Sequence, residues 1–349
     1  MFKVTVVGHY GGGFNYNDGQ TIKTKNITNE LIKRYGRISI NTIDSHGRLK
    51  SLIKAPIVIK KAIKNSANVI MLPAHRGLKV YGPLMVIYKQ YYKSCNIIYI
   101  VVGGWLPNYL ERNWFLRKCL MKFDKIFVET NTMKSAMNTL GFENVDILPN
   151  FKSYDTYYSN NKPLTISHSE PFHLCTFSRV LKEKGIGDAV TVVNRINKEH
   201  GRIVYKLDIY GPIDPTEKDW FEEVKKQFGE AIQYKGSASP ERCRDILKQY
   251  FALLFPTHFY TEGIPGTIID SFASGVPVVS SKWESFDDVV DEGITGYGYT
   301  FAAEEGLYNT LCNISQNPEL IESLRTNCIK KYTTCYSEKA VSILFDILR

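Results

Sequence analysis

No stretch of this sequence reaches the roughly 18 uninterrupted apolar residues that a membrane-spanning helix needs. A transmembrane protein is therefore not expected. Cysteine is sparse and unpatterned: the seven residues, at 95, 119, 175, 243, 312, 328 and 335, are odd in number and never spaced Cys-x-x-Cys. That excludes a disulfide frame and a thiolate zinc site, and fits reduced thiols, mostly in the core, of a cytosolic chain. The opening MFKVTVVGHYGGG has one Lys before a short β-type run that ends in glycines, unlike a secretory leader. Low-complexity segments are lacking too. The main shortage is of acids in the first half. Residues 1–150 hold 8 Asp and Glu against 22 Lys and Arg, a net +14, whereas residues 151–349 hold 27 against 22, a net −5. A basic half asks for an anionic partner, whether membrane surface, nucleic acid or phosphorylated ligand. No nucleic-acid-binding motif is present, so nucleic acid is not expected.

At 349 residues the chain is too long for one ordinary core and fits two domains. Strand and helix patterns alternate through the first half. KVTVVG, RISINTID, NVIMLPA, NIIYIVVGG and KIFVET read as strands; GQTIKTKNITNELIKRYG reads as a helix ending at Gly36. LKSLIKAPIVIKKAIKNS has a helical pattern that Pro56 should interrupt. Residues 151–170 are polar, rich in Ser, Asn and Tyr, and break the alternation. It restarts with HLCTFSRV and runs through PVVSS into closing helical segments. Near-continuous apolar strands alternating with helices imply parallel sheets covered on both faces. Two such doubly wound halves should enclose a ligand cleft between them. The expected division is a first domain over 1–155, a linker over 156–170 and a second domain over 171–335.

Two stretches carry chemistry. TEGIPGTIIDSFASG follows the strand pattern YFALLFPT and leads into a helical one. Pro265 suits a first helical turn, and Gly263 and Gly266 let backbone approach a ligand. The N–H groups at the helix start favour phosphate. Glu262 and Asp270 could both face the same cleft and accept from vicinal sugar hydroxyls. A surface turn with solvated acids would read the same way. The second stretch, FSRVLKEKGI, places Arg179 and Lys184 in a loop entering a helix, where two cations could clamp a diphosphate. A solvated basic loop is the plain alternative.

Taken together, in this order and separation, the two stretches resemble the retaining family-4 glycosyltransferases of GT-B fold. The resemblance runs over essentially the whole chain. SRVLKEKG resembles the family's diphosphate-binding Gly-Arg-Leu-x-x-x-Lys-Gly, with Ser178 in place of the first Gly. The family's paired Glu residues read here as Glu262 and Asp270. ASGVPVVSS and DDVVDEGITG resemble its tail, with Asp288 at a Glu position. The resemblance implies an α/β protein of two Rossmann-like doubly wound parallel-sheet domains, with a last helix at about 336–349 packing back on the first. It assigns catalysis to Glu262, Arg179 and Lys184. Donor binding falls to these three with Gly263, Ile264, Pro265, Gly266, Thr267 and the ribose-holding Asp270. Gly19 and Gln20, in DGQTIKTK, lie where the family opens its first helix with Gly-Gly toward the diphosphate; Asp18 replaces the first Gly. The family's usual mid-domain His is absent: Gly103, Gly104 and Trp105 stand there, and His75 and His9 are the remaining candidates. YGGGFN, residues 10–15, reads as a flexible loop or acceptor-side lid.

The implied activity is retaining transfer of a hexose-type sugar from a nucleotide-diphosphate donor, with UDP the expected nucleotide, to a saccharide or lipid-linked saccharide in bacterial surface polysaccharide synthesis. The nucleotide-sugar is a co-substrate. No cofactor and no metal are expected, since the Asp-x-Asp motif by which the other main transferase fold holds a metal does not occur. The basic half, with Lys and Arg beside bulky apolar residues in RLKSLIKAPIVIKKAIKNS and NWFLRKCLMKF, suggests a cytoplasmic protein resting on the anionic inner face of the cell membrane. A sugar-nucleotide epimerase or hydrolase, or a non-catalytic subunit, are the competing readings.

Overall fold

The structure, a computed structural model, describes residues 1–13, 18–46, 49–154, 171–239 and 242–348. The expected linker, 156–170, and the tip of the 10–15 loop lie outside the described residues. The chain divides into two compact units. The first comprises Met1–Ser153, the tripeptide Gly263–Pro265 and Cys335–Arg349; the second comprises Tyr154–Glu262 and Gly266–Thr334.

Each unit is built on a six-stranded sheet whose strands all pair in parallel. In the first, β1 (Phe2–Gly8), β2 (Ile40–Asp44), β3 (Ser66–Met71), β4 (Asn96–Ile100), β5 (Lys125–Val128) and β6 (Val145–Ile147) lie in the order β2-β1-β3-β4-β5-β6. In the second, β7 (Phe172–Phe177), β8 (Tyr205–Tyr210), β9 (Ile232–Gly236), β10 (Ala252–Phe255), β11 (Val278–Ser281) and β12 (Gly296–Tyr299) lie in the order β12-β11-β10-β7-β8-β9. The second order is that of a Rossmann fold.

The strand sequences explain the layering. Successive side chains point to opposite faces, so a strand apolar at every position must be covered on both. In the first sheet Val6 pairs with Ile70 and Ile70 with Ile98. These residues join a core that also holds Ile27 and Leu31 of the helix Gly19–Tyr35 and Val341 and Leu344 near the C-terminus. Their neighbours Val69, Met71, Ile97 and Tyr99 face the opposite core, with Ala55, Ile59 and Ile63 of the helix Leu49–Asn65. In the second unit one core gathers Leu174, Leu207, Ile209 and Leu254 with Val190, Val193 and Ile196 of the helix Ile186–His200.

Two expectations need correction. The helix Leu49–Asn65 runs unbroken through Pro56. Pro costs an interior helix about 3 kcal/mol. Ala55, Ile59, Ala62 and Ile63 are nearly fully buried, and at about 1.5–3 kcal/mol for each large side chain they outweigh the loss. The strand β12, GYGY, also falls where the chain was expected to pass from PVVSS into closing helical segments. Its register against β11 explains one of its two glycines, because a Cβ on Gly296 would stand 2.2 Å from Val278 O. All seven cysteines are free thiols, five of them buried. Among the described residues no helix is long and apolar enough to cross a membrane.

Two glycines draw the loops past β7, β8 and β10 together. Gly211, after β8, has φ 136°, and a Cβ there would stand 1.8 Å from Ser178 O. Gly185, before the helix Ile186–His200, has φ 67°, and a Cβ would stand 1.8 Å from Pro256 O. Both the left-handed backbone and the close approach exclude a side chain. Gly185→Ala should therefore destabilise the protein by at least about 2 kcal/mol, read as a lowered denaturant midpoint; an unchanged midpoint would refute this packing.

Candidate functional site

The strand order of the second sheet reverses between β7 and β10, and the crevice past the carboxyl ends at such a point is where open α/β sheets take ligands. The loop after β7 carries Ser178 and Arg179, makes a short 3-10 turn over Lys182–Lys184, and enters the helix at Gly185. The loop after β10 carries Thr257 to Glu262. His258 N donates to Glu183 O at 2.7 Å, and His258 Nε2 lies 2.8 Å from Asp188 Oδ2, tying the two loops. Between them Lys184 Nζ pairs with Glu262 Oε1, and Thr257 Oγ1 donates to the same oxygen at 3.3 Å. The rings of Phe255 and Phe259 flank the ammonium at 5.4 and 4.9 Å. Both charged side chains are 18% exposed, sheltered yet reachable.

Arg179 is placed differently. Its guanidinium is 56% exposed and pairs with Asp214, past β8, at 3.2 Å. The hydroxyl and carboxylate of Thr216 and Asp214 form a local turn that fixes that partner. An expected two-cation clamp is thus not preassembled: only Lys184 faces Glu262.

Asp270 lies within the helix Gly266–Ala273 and is 3% exposed. Its Oδ1 accepts from the Tyr154 hydroxyl. Arg244 stacks its guanidinium over the Tyr154 ring at 5.5 Å. Burial first, then the Asp270 charge, pushes the Tyr154 phenol well above its ordinary value, so it remains a donor. The expected ribose ligand is therefore already hydrogen-bonded in this structure. One turn back, Thr267 Oγ1 is enclosed and has no hydrogen-bond partner among the described residues.

In the first unit the order changes between β1 and β3. Asp18 caps the helix Gly19–Tyr35, its Oδ1 accepting from Thr21 N at 3.0 Å. Gln20 Nε2 donates to Leu72 O, past β3, at 3.4 Å. Thr21 Oγ1 lies 2.6 Å from His9 Nδ1, and His9 Nε2 lies 2.8 Å from His46 Nδ1. His75, past β3, stacks on Trp105, past β4, with centroids 3.8 Å apart, and meets Tyr109 edge-on at 5.0 Å. These rings, with Asn108, Arg112 and Asn113, line an open cavity of about 530 Å³. Burial and the nearby Lys79 push the His75 imidazole below its ordinary value, which favours the neutral ring. The Tyr109 hydroxyl is buried with no hydrogen-bond partner among the described residues.

Sequence reasoning missed Lys23 and Glu129. Lys23 Nζ donates to Glu129 Oε1 at 2.5 Å and to Val101 O at 3.0 Å, with the side chains 1% and 2% exposed. Glu129 Oε2 accepts from Ile264 N at 2.7 Å. That corrects one assignment: the Ile264 N–H, expected to meet a ligand, is spent on a side chain, and Pro265 has none to give. The signal available beforehand was a lone Glu closing the strand pattern KIFVET.

Residues 171–317 match the family model described as glycosyl transferases group 1. That segment is 147 of the chain's 349 residues. It holds Arg179, Lys184, Glu262 and Asp270, so the group 1 region contains all four expected charged ligands. The chain is 21% identical over 151 residues to the amylovoran biosynthesis glycosyltransferase AmsK of Erwinia amylovora, 42% of this chain. It spans 37% and 43% of the lengths of the curated relatives it matches. Among solved structures it is similar to sucrose-phosphate synthase from Thermosynechococcus elongatus, at TM-score 0.79 and 14% identity over 98% of this chain and 97% of that one. It is also similar to Anabaena Alr3699/HepE, solved with UDP and glucose, at TM-score 0.72 and 12% identity over 99% and 98%. The fold is GT-B.

If a ribose hydroxyl takes the place of Tyr154 at Asp270, removing the competitor should help it. Tyr154→Phe should then tighten UDP binding by about 10-fold, the worth of one charge-assisted hydrogen bond, measured by titration calorimetry. Unchanged or weaker binding would place the ribose elsewhere.

Proposed function

We propose that the protein is a glycosyltransferase that moves a hexose-type sugar from a UDP-linked donor to a saccharide or lipid-linked saccharide in surface polysaccharide synthesis. The observation that carries this is the Lys184–Glu262 pair at the switch point of the second sheet, inside the group 1 segment. AmsK is named for amylovoran biosynthesis, and HepE was solved with UDP and glucose, which supports the polymer and donor readings. Lys184 and the start of the helix Gly266–Ala273 would take the donor diphosphate, joined by Arg179 on leaving Asp214. Glu262 would accept from hydroxyls of the transferred sugar, and Asp270 from the ribose.

Retention follows if the leaving phosphate itself serves as base. The bond from the sugar C1 to the phosphate oxygen breaks, the acceptor oxygen bonds to C1 on the same face, and its proton passes to the departing phosphate. The protein then needs to stabilise the leaving charge, which cationic side chains and helix N–H groups do without a metal. The neutral His75, stacked on Trp105, would line the acceptor side.

A thermal-shift panel of UDP-, GDP- and ADP-sugars on wild type and Arg179→Ala tests the donor. UDP-sugars should stabilise wild type, the variant should lose most of that shift, and Glu262→Ala should abolish transfer while folding normally. Transfer should persist in EDTA. Donor consumption without acceptor would favour a hydrolase or epimerase, and no shift with any donor would favour a non-catalytic protein.

The acceptor end of the reading rests on the first unit. The helix Leu49–Asn65 exposes Ile53 and Ile57 on the same side as Lys54, Lys60, Lys61 and Lys64. The helix Trp114–Leu120 exposes Trp114, at 73%, and Phe115 beside Lys118. Apolar and interfacial aromatic side chains ringed by cations suit an anionic leaflet. Flotation should carry the protein up with phosphatidylglycerol vesicles and leave it behind with phosphatidylcholine. A Trp114→Ala, Phe115→Ala variant should float less; equal binding to both lipids would remove the membrane reading.

A further inference from the structure

Among the described residues the Lys23–Glu129 pair is the most deeply buried pair of opposite charges in the first unit, and the mechanism above makes no use of it. Burying two charges costs several kcal/mol each unless every remaining lone pair and proton is satisfied. Here they are. Glu129 takes only N–H donors: Lys23 Nζ at 2.5 Å and Gly103 N at 3.3 Å on Oε1, and Ile264 N at 2.7 Å on Oε2. Acceptance on both oxygens marks a carboxylate. The other face of the same peptide is held too, since Asn150 Nδ2 donates to Ile264 O at 3.0 Å. Both polar groups of the Ile264 backbone are thus bound by side chains, not by helix or sheet.

Gly263 completes the fit. A Cβ on it would stand 2.1 Å from Glu129 Oε2 and 3.0 Å from Gly103 Cα. Its φ is not in the left-handed region, so close approach to the carboxylate, not backbone conformation, is what requires glycine. An apolar pair could fill the volume of Lys23 and Glu129 but could not accept two backbone N–H groups.

We propose that Glu129, neutralised by Lys23, is a positioning residue that clamps the Gly263–Pro265 turn. The turn lies in sequence between Glu262 and Gly266, so fixing it sets the direction in which the chain leaves Glu262. The clamp stands on geometry alone; its catalytic consequence rests on the glycosyl-transfer reading.

The test uses the full chain with Glu129→Gln, Glu129→Asp and Lys23→Met, and UDP and a UDP-sugar as probes. Glu129→Gln puts an amide against three donors; Glu129→Asp keeps the charge for Lys23 but shortens the reach to Ile264. In wild type the Ile264 amide should be protected from hydrogen exchange, and both Glu129 variants should lose that protection. The kcat should fall about 10- to 100-fold, the cost of misplacing a reacting group by about 1 Å. Affinity for UDP, which lacks the sugar, should change less than about twofold. Should Glu129→Gln fail to fold, Glu129→Asp decides. Either variant keeping wild-type protection at Ile264 would overturn the clamp, and wild-type kcat with that protection lost would overturn its positioning role. If wild type moves no sugar, the functional reading fails, and exchange at Ile264 alone still judges the clamp.

Discussion

A parallel sheet covered on both faces leaves one kind of place for polar chemistry. Its inner strands are buried at nearly every position, and its helices present their apolar stripes inward. The loops past the carboxyl ends are the first residues released from burial. They are also held firmly, because each leaves a buried strand and enters a packed helix. In the second unit three such loops, after β7, β8 and β10, are pressed together closely enough that Gly185 and Gly211 can carry no side chain. That packing brings Lys184 and Glu262, 78 residues apart in sequence, onto each other. In the first unit the same edge gathers His75 and Trp105 from adjacent strands. Function is thus confined to sheet edges by the cost of putting charge anywhere else.

Two ion pairs show how exposure divides roles. Lys184 and Glu262 are both 18% exposed, so water or a ligand can replace either partner at modest cost. Lys23 and Glu129 are 1% and 2% exposed, and losing one would strand the other in an apolar interior. Burial already lowers the Lys23 pKa, with Glu129 opposing the shift. The first pair is suited to exchange and the second to permanence. Arg179, more exposed still, is bound to Asp214 by a contact that contributes little and breaks readily.

Much of this was legible in the sequence because it is local. Strand and helix alternation follows from apolar periodicity. Gly185 and Lys184 sit together in KEKGI, and Glu262 precedes a Gly-x-Pro turn, so the loop chemistry is written within a few residues. What was hidden depends on long-range approach. Glu129 meets Lys23 across 106 positions and Ile264 across 135, and Tyr154 meets Asp270 across 116. No spacing rule reports such pairs. Tyr154 was further disguised by a polar, Tyr-rich neighbourhood that reads as linker. Pro56 and β12 misled for the opposite reason: their local signals were clear, and burial of one helix face and pairing along one sheet edge overrode them.

The Lys184–Glu262 contact also bears on how a donor would enter. A diphosphate carries about two negative charges, against one for a carboxylate. At the effective dielectric of a partly sheltered site, two unit charges about 4 Å apart interact by roughly 4 kcal/mol. An arriving phosphate would therefore compete well for Lys184, whose ammonium the Phe255 and Phe259 rings flank at 5.4 and 4.9 Å. Were the ammonium to turn to phosphate, Glu262 would lose its main partner and, among the described residues, keep the Thr257 hydroxyl. A sugar hydroxyl attached to that same phosphate is then the nearest new donor. On this view the ion pair is the resting form of the site: each half holds the other's place until a ligand carrying both an anion and hydroxyls satisfies the two together, and a nucleotide without its sugar would satisfy only one.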